Sequence, residues 1–522
     1  MKRETGPESF ESLLALAEAQ AARQELPQAI ASYETALRQR PGNPHVQVQL
    51  SYLHSLSGHY RLGREYALAA AATGTTSPGV VEELAPRLRT FNAVSELLAY
   101  VERLLPLSRI PIPLLIKIAA QLSYLNLPER AIEFLDEARR GDPDYPVTLL
   151  ARAQVLIYLG RFDDAAADIA RVLKRAPEIA HGYWLQSLLG GPYSRSGDLD
   201  AIRAQLKRPG RSPDEIALLG FALHKALDNL GDHAGAWNGL MVGCQAKRST
   251  LTYAAADSEA LVDALIAHAP GPVTPRPDTG TVAIPIFIVG MHRSGTTLLE
   301  QLLDGSPQVL GIGELYDLTS AMRYATDHHC RGVIDTTIVQ RATHADFAAI
   351  GRRYLEGIAW RLGGEAYFTD KLPSNFLNIG FICRALPQAR ILHMVRDPVE
   401  TCFSNLRELF SDANPYSYDQ LELAAYYRQY QRLMAHWHRT WPGRILDVDY
   451  ARLTREPDAV MREVADFCGI AFDPAMLEHQ SRNRGIATAS AVQVRGRVEA
   501  RERPKWEPYR DYLQPLLHAL EG

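Results

Sequence analysis

Residues 284–297 read Ile284-Pro-Ile-Phe-Ile-Val-Gly290-Met-His-Arg293-Ser294-Gly295-Thr296-Thr297. The apolar run Ile286–Val289 breaks at Gly290, and a helical pattern starts at Leu298. A strand, a glycine-bounded loop and a helix N-terminus form an anion cradle. Backbone N–H groups and the positive end of the helix dipole point at one spot, and the hydroxyls of Thr296 and Thr297 are further donors. The lysine that follows the second glycine of a P-loop is missing. Thr296 stands in its place, and the cation has moved forward to Arg293.

Two further runs around this stretch read as strands, Ala389–Val395 and Arg444–Val448, each followed by helical sequence. Apolar strands alternating with helices imply a parallel sheet with crossover helices, whose ligands sit beyond the C-terminal strand ends. Arg396-Asp397-Pro398 leaves one such end, and Ser404 lies two helical turns on. A guanidinium there can fork onto a phosphate, Ser404 can add a hydroxyl, and Asp397 can steady the arginine or cap the helix.

Upstream, the chain is rich in Ala and Leu at helical spacing. Ala29, Tyr33, Ala36 and Pro41 recur three periods of 34 later as Ala131, Leu135, Ala138 and Pro143, and one period further as Ala165, Ile169, Val172 and Pro177. That period, with small residues and a terminal proline, is the tetratricopeptide signature. Gly63, Ala67 and Ala70 keep the pattern, Leu97, Val101 and Leu104 lose its small positions, and Leu218–Trp237 reads as a late repeat turning at Gly231-Asp232. Pro270–Gly280 is a Pro/Gly linker. The expected organisation is an all-α tetratricopeptide-like solenoid over 1–269, a linker over 270–282, and an α/β parallel-sheet domain over 283–522.

The Arg293–Thr297 loop together with Arg396-Asp397-Pro398 and Ser404 resembles the sulfotransferase family, in the manner of tyrosylprotein sulfotransferases and bacterial repeat-containing sulfotransferases. The resemblance covers about 284–506 and is most specific in those two motifs. It implies 3′-phosphoadenosine-5′-phosphosulfate (PAPS) as donor, with 293–297 on the 5′-phosphosulfate and Arg396 and Ser404 on the 3′-phosphate. It also implies Arg293 on the bridging oxygen, Glu314 of Gly313-Glu314 as general base, Lys371 as a catalytic lysine and Tyr450 near adenine. Ser490 and Lys505-Trp506 resemble a segment closing over the leaving phosphate. The intervening Arg497–Pro504 departs from the family pattern in lacking its Ser and Gly.

The bulk numbers narrow the alternatives. A chain of 522 residues exceeds one core, and its 46% hydrophobic and 22% charged content is that of an ordinary globular protein. A net charge of −4 gives no reason to expect nucleic acid, and the Arg482–Arg510 run is interleaved with acids. Five scattered cysteines, no apolar h-region and no run near the roughly 20 residues of a bilayer span point to a reducing, cytoplasmic setting without a membrane segment. Neither His328-His329-Cys330 nor His436 and His438 has metal-site spacing, so no metal is expected. No apolar strand ending in a magnesium-binding Asp stands out. The sequence leaves the acceptor hydroxyl open among peptide tyrosine, sugar and small phenol. The solenoid's concave face suits a peptide or a second copy of the chain. Two other readings are a kinase-like P-loop enzyme, which the loop's missing lysine disfavours, and a scaffold with an inactive transferase-like domain.

Overall fold

A computed structural model of the chain describes residues 9–193, 197–268, 283–478 and 503–521, with the isolated positions 271, 273, 485 and 492. Most of the linker at 270–282 and Ser490 lie outside the described residues, as does 493–502.

Fifteen α-helices run from Phe10 to Ala267 among the described residues. The repeat residues mark one seam. Ala29, Tyr33 and Ala36 are buried on the helix Leu26–Gln39, Ala131, Leu135 and Ala138 on Pro128–Gly141, and Ala165, Ile169 and Val172 on Phe162–Arg175. Small side chains at this seam let paired helices approach closely. Pro44, Pro78 and Pro146 each open a helix at its first position, where the missing N–H would have had no partner. The N-terminal half is therefore a tetratricopeptide-like solenoid.

The C-terminal half is built on five parallel strands: β1 (Ile284–Gly290), β2 (Val309–Gly311), β3 (Tyr367–Asp370), β4 (Arg390–Val395) and β5 (Ile445–Asp449). Their order is β2-β3-β1-β4-β5, with every pair parallel. Ile286–Val289 are fully buried because helices cover both faces of the sheet. β1 lies between β3 and β4, so the strand order reverses there and a crevice opens beyond its C-terminal end.

Two strands were not legible beforehand. β2 has three residues and β3 four, too short for a period-two pattern. Two strands end in an aspartate, β3 in Asp370 and β5 in Asp449, neither of which the sequence marked out. Asp370 is fully buried, accepts from Tyr354 Oη at 3.1 Å and from Asn375 Nδ2 at 3.4 Å, and is pushed well above the usual carboxylate range by burial. Held neutral in this way, it is a poor cation ligand.

The solenoid packs directly against the sheet domain. Tyr60 Oη lies 3.0 Å from Ser320 Oγ, Arg61 donates to the Tyr324 and Ala325 carbonyls at 2.9 Å each, and Arg361 donates to Leu125 O at 2.8 Å. Arg248 makes a two-pronged pair with Glu422, both contacts at 2.8 Å. Arg407 pairs with Asp228 and donates from Nε to Nε2 of buried His224 at 2.8 Å, and the other imidazole nitrogen meets Ala236 O at 2.9 Å. An imidazole that accepts from a guanidinium must be neutral. Burial, with Arg407 adding to it, lowers the His224 pKa to about 3. The unfolded chain then takes up this proton first as pH falls below about 6.5, so stability is lost downward from that value toward about 3. Thermal denaturation of His224→Gln should show a shallower loss between pH 7 and pH 5 than the parent. An unchanged slope counts against the assignment.

Candidate active site

The crevice beyond β1 is shaped by two glycines and one strained arginine. At Gly290 a Cβ would lie 2.8 Å from Met394 O, so only glycine lets β1 and β4 close up. Arg293 adopts φ +65°, a left-handed conformation that costs a non-glycine residue on the order of 1 kcal/mol and clusters at functional sites. Gly295 has φ +110° and opens the helix Thr296–Leu303 with no side-chain cap, leaving the first N–H groups of that helix to face the loop. A Cβ on Gly295 would lie 2.4 Å from the Tyr450 ring. The Ser294 hydroxyl is buried without a hydrogen-bond partner in the protein, an arrangement that favours an incoming acceptor or donor. Thr296 and Thr297 are buried beside it.

Arg293 and Arg396 meet here. Arg293 Nε points to Ser404 Oγ at 3.4 Å and its Nη2 lies 3.8 Å from Glu408, and burial lowers its pKa from the ordinary arginine value. Arg396 donates from Nη1 to Arg293 O at 3.1 Å and lies over the Tyr450 ring at 4.6 Å. Glu400, one turn on, takes its Nε and Nη2 at 2.9 and 2.7 Å. Asp397 caps the following helix by accepting from Glu400 N at 2.8 Å. Of the two roles open to Asp397, the structure assigns the cap, and the guanidinium is steadied by Glu400.

On the β3 side, Lys371 is fully buried and donates to Glu314 Oε1 at 2.7 Å, while the Glu314 side chain keeps 31% exposure. Lys371 is thus no strand-end surface residue. The loop carrying Glu314 is pinned from several directions. Gly313, at φ +77°, donates to Glu300 Oε1 at 2.7 Å and accepts from Lys371 N at 3.0 Å. Ile312 N donates to Thr369 Oγ1 at 3.3 Å. Asn126, a solenoid residue, donates to Glu314 O at 2.8 Å.

Glu400, Glu300, Asn126 and His292 of this site were not singled out beforehand. His292 sits inside the quoted loop, is anchored through its carbonyl by Asn405 Nδ2 at 2.7 Å and packs its ring against Phe410. Burial lowers its pKa to about 4, with Glu314 pulling up and Lys371 and Arg293 pushing down. It is therefore a neutral ring within electrostatic reach of all three charged groups. Its place between Met291 and Arg293 was the available signal.

The remaining expected residues divide. Tyr450 stands between Gly295 and Arg396, as described above. Lys505 is exposed, and Ser490 falls outside the described residues. His328 pairs with Asp335 at 2.7 Å and Cys330 Sγ turns to Gly332 O, so that triplet does not converge on one point. His438 and His393 share Asp447 at 3.0 and 2.7 Å. The sequence showed only the helical half of that trio, because His393 and Asp447 are paired across β4 and β5.

The Gly295–Tyr450 contact gives a direct prediction. Gly295→Ala must strain the backbone at φ +110° and displace the ring, so anion binding in the crevice should weaken by about tenfold or more. Calorimetry against a nucleotide bisphosphate checks this, and unchanged affinity would show that the loop is not the cradle.

Parts of the chain are similar to known proteins. Residues 285–474 match the model described as the Sulfotransferase family. An uncharacterised protein of Aquifex aeolicus (strain VF5) is 26% identical over 404 residues, 75% of this chain, and the match spans about half, 52%, of that relative's length. A putative protein-tyrosine sulfotransferase of Caenorhabditis briggsae is 25% identical over 227 residues, 42% of this chain and 80% of its own. Among solved structures, the sulfotransferase domain of the Synechococcus PCC 7002 olefin synthase is 21% identical with a TM-score of 0.34, covering 48% of this chain and 96% of that domain.

Proposed function

Residues 285–474 form a sulfotransferase-family domain, and on that premise we propose that the chain transfers a sulfuryl group from PAPS to an acceptor hydroxyl. The observation that carries this reading is the Glu314–Lys371 pair held beside the Arg293 loop, at the strand-order reversal. A carboxylate, an ammonium and a guanidinium at one crevice make an acid–base set next to an anion cradle.

The crevice suits an anionic donor: the first N–H groups of the helix Thr296–Leu303 face it and the buried Ser294 hydroxyl has no partner in the protein. Residues 293–297 hold the 5′-phosphosulfate, Arg396 and Ser404 the 3′-phosphate, and Tyr450 flanks the nucleotide. Lys505 is exposed and is proposed to contact the departing phosphate. The donor supplies a sulfuryl group on a good leaving phosphate. The sulfur–oxygen bond to that phosphate breaks as the bond to the acceptor oxygen forms, and the acceptor proton passes to Glu314. Arg293 and Lys371 neutralise charge gathering on the departing phosphate, leaving 3′-phosphoadenosine-5′-phosphate and a sulfate ester. Such loose in-line transfers depend on positioning and charge neutralisation. This set of residues needs no divalent ion for either task.

The proposed domain organisation is a solenoid over 1–269, a linker over 270–282 and the transferase domain over 283–522. The solenoid binds the acceptor or a protein partner, a second copy of the chain included. No helix among the described residues is long and apolar enough to cross a membrane. The five cysteines are unpaired and buried, which accords with a cytoplasmic setting.

Incubating the protein with radiolabelled PAPS and a fractionated cell lysate tests the reading. Label should move into an acceptor fraction, with stoichiometric release of the bisphosphate. Hydrolysis alone, or no release, contradicts it.

A further inference from the structure

The loop that carries Glu314 rests on the solenoid. Asn126, in the turn between the helices Ile112–Tyr124 and Pro128–Gly141, adopts φ +56° and sends its one amide nitrogen to two carbonyls, Glu314 O at 2.8 Å and Ile312 O at 3.3 Å. Its side chain fills the space where a Gly313 Cβ would stand, with Nδ2 at 3.2 Å from that point. Glu300, on the helix that follows the anion loop, grips Gly313 N from the other side. The base loop is therefore clamped between the donor-binding helix and a repeat turn.

The solenoid also provides the surface in front of Glu314. Tyr124, immediately before that turn, is 63% exposed, with the Arg89 guanidinium over its ring at 4.7 Å. Tyr158, on the next repeat, and Tyr316, two residues past the base, are both pushed up to about 12 by burial, and each is affected by the charges of Glu314 and of Tyr124. Tyr316 nonetheless keeps 48% exposure, so it borders an open space. The nearby amides are engaged internally. Gln121 accepts from Arg89 at 2.8 Å and donates to Lys117 O at 3.3 Å, and Asn126 holds the base loop. The rings of Tyr124 and Tyr316 and the Arg89 guanidinium border the Glu314 loop. An aromatic ring can stack on these faces and lie under the guanidinium.

We propose that the solenoid builds the acceptor half of the active site: Asn126 is a positioning residue for the Glu314 loop, and Tyr124 and Tyr158, with Tyr316, receive an aromatic ring that carries the acceptor hydroxyl. This rests on the sulfuryl-transfer reading above. It makes the repeats part of the catalytic centre, so the enzyme works only with both halves joined. A tyrosine within a peptide and a free small phenol share this chemistry.

The test uses the full-length chain with PAPS and two probes, 4-nitrophenol and a tyrosine-containing peptide, with glucose and N-acetylglucosamine as sugar controls. Wild type should sulfate at least one aromatic probe in preference to the sugars, and the better probe identifies the source. Asn126→Gly keeps the left-handed turn and loses only the amide. It should lower kcat about tenfold or more with KM, bisphosphate affinity and melting temperature little changed. Tyr124→Ala and Tyr158→Ala should raise KM for the aromatic probe about tenfold, and Tyr124→Phe should restore it. The proposal is overturned if the sugars are preferred, if neither aromatic probe reacts while the bisphosphate still binds, or if all three truncations leave kcat and KM unchanged. Loss of bisphosphate binding by wild type would instead overturn the donor reading, which separates the two failures.

Discussion

Arg293→Ala is expected to lower turnover by about 10²–10³-fold and to weaken binding of 3′-phosphoadenosine-5′-phosphate strongly. Its guanidinium is the charge at the centre of the anion loop, nearly buried and directed at Ser404. Removing it takes a fixed cation from a site where water screens little, and fixed charges there act most strongly on a developing oxyanion. It also leaves Glu408, 4% exposed and 3.8 Å from Nη2, without that guanidinium. Lys225, which Glu408 also influences, remains near it, and some loss of melting temperature should accompany the loss of activity. Arg293→Lys separates the two effects. It keeps the charge but not the planar fork, so stability should largely return while binding stays impaired. If Arg293→Ala retains near-normal bisphosphate affinity, the loop does not hold the donor.

Glu314→Gln is expected to remove turnover to a similar extent, about 10²-fold or more, while leaving bisphosphate affinity close to wild type. The amide oxygen can still accept from Lys371 Nζ, which now donates to Glu314 Oε1 at 2.7 Å, so the buried ammonium keeps a hydrogen-bond partner. What the variant loses is the capacity to take a proton. Glu314→Ala removes both, and since Lys371 has no exposure at all, that variant should also melt lower than Glu314→Gln. The informative contrast is between Arg293 and Glu314: both abolish transfer, and only the first abolishes donor binding. If Glu314→Gln turns over normally with a saturating acceptor, the base is another group, and neutral His292 becomes the next to substitute.

The geometry of the Arg293 loop was readable from local sequence because it is local. A strand, two glycines and a helix start within fourteen residues fix where Arg293, Ser294 and Thr296 stand, and the repeat period fixes the buried seam of the solenoid. Glu400 was equally readable, one helical turn from Arg396, yet Asp397 drew attention because it is adjacent in the chain. On the other side, Glu314 and Lys371 were named only through the family resemblance, and their pairing was not readable. β2 and β3 are too short to show a period, and their neighbours Glu314 and Lys371 meet only once those strands pair. Asn126 reaches Glu314 across 188 positions of chain, and no spacing rule predicts a solenoid turn supporting a catalytic loop. Asp370 went unnoticed for the same reason, since its raised pKa comes from burial and from Asp317 and Glu300, which only the fold brings near it.

The central claim is that the crevice beyond β1 is built for a phosphosulfate donor. Calorimetric titration of the full-length protein with 3′-phosphoadenosine-5′-phosphate, and separately with ATP and magnesium, tests it most directly. The account predicts saturable, metal-independent binding of the bisphosphate that is lost in Arg293→Ala and kept in Glu314→Gln, with ATP binding far more weakly. Tighter binding of ATP with magnesium, or binding of neither nucleotide, would contradict it.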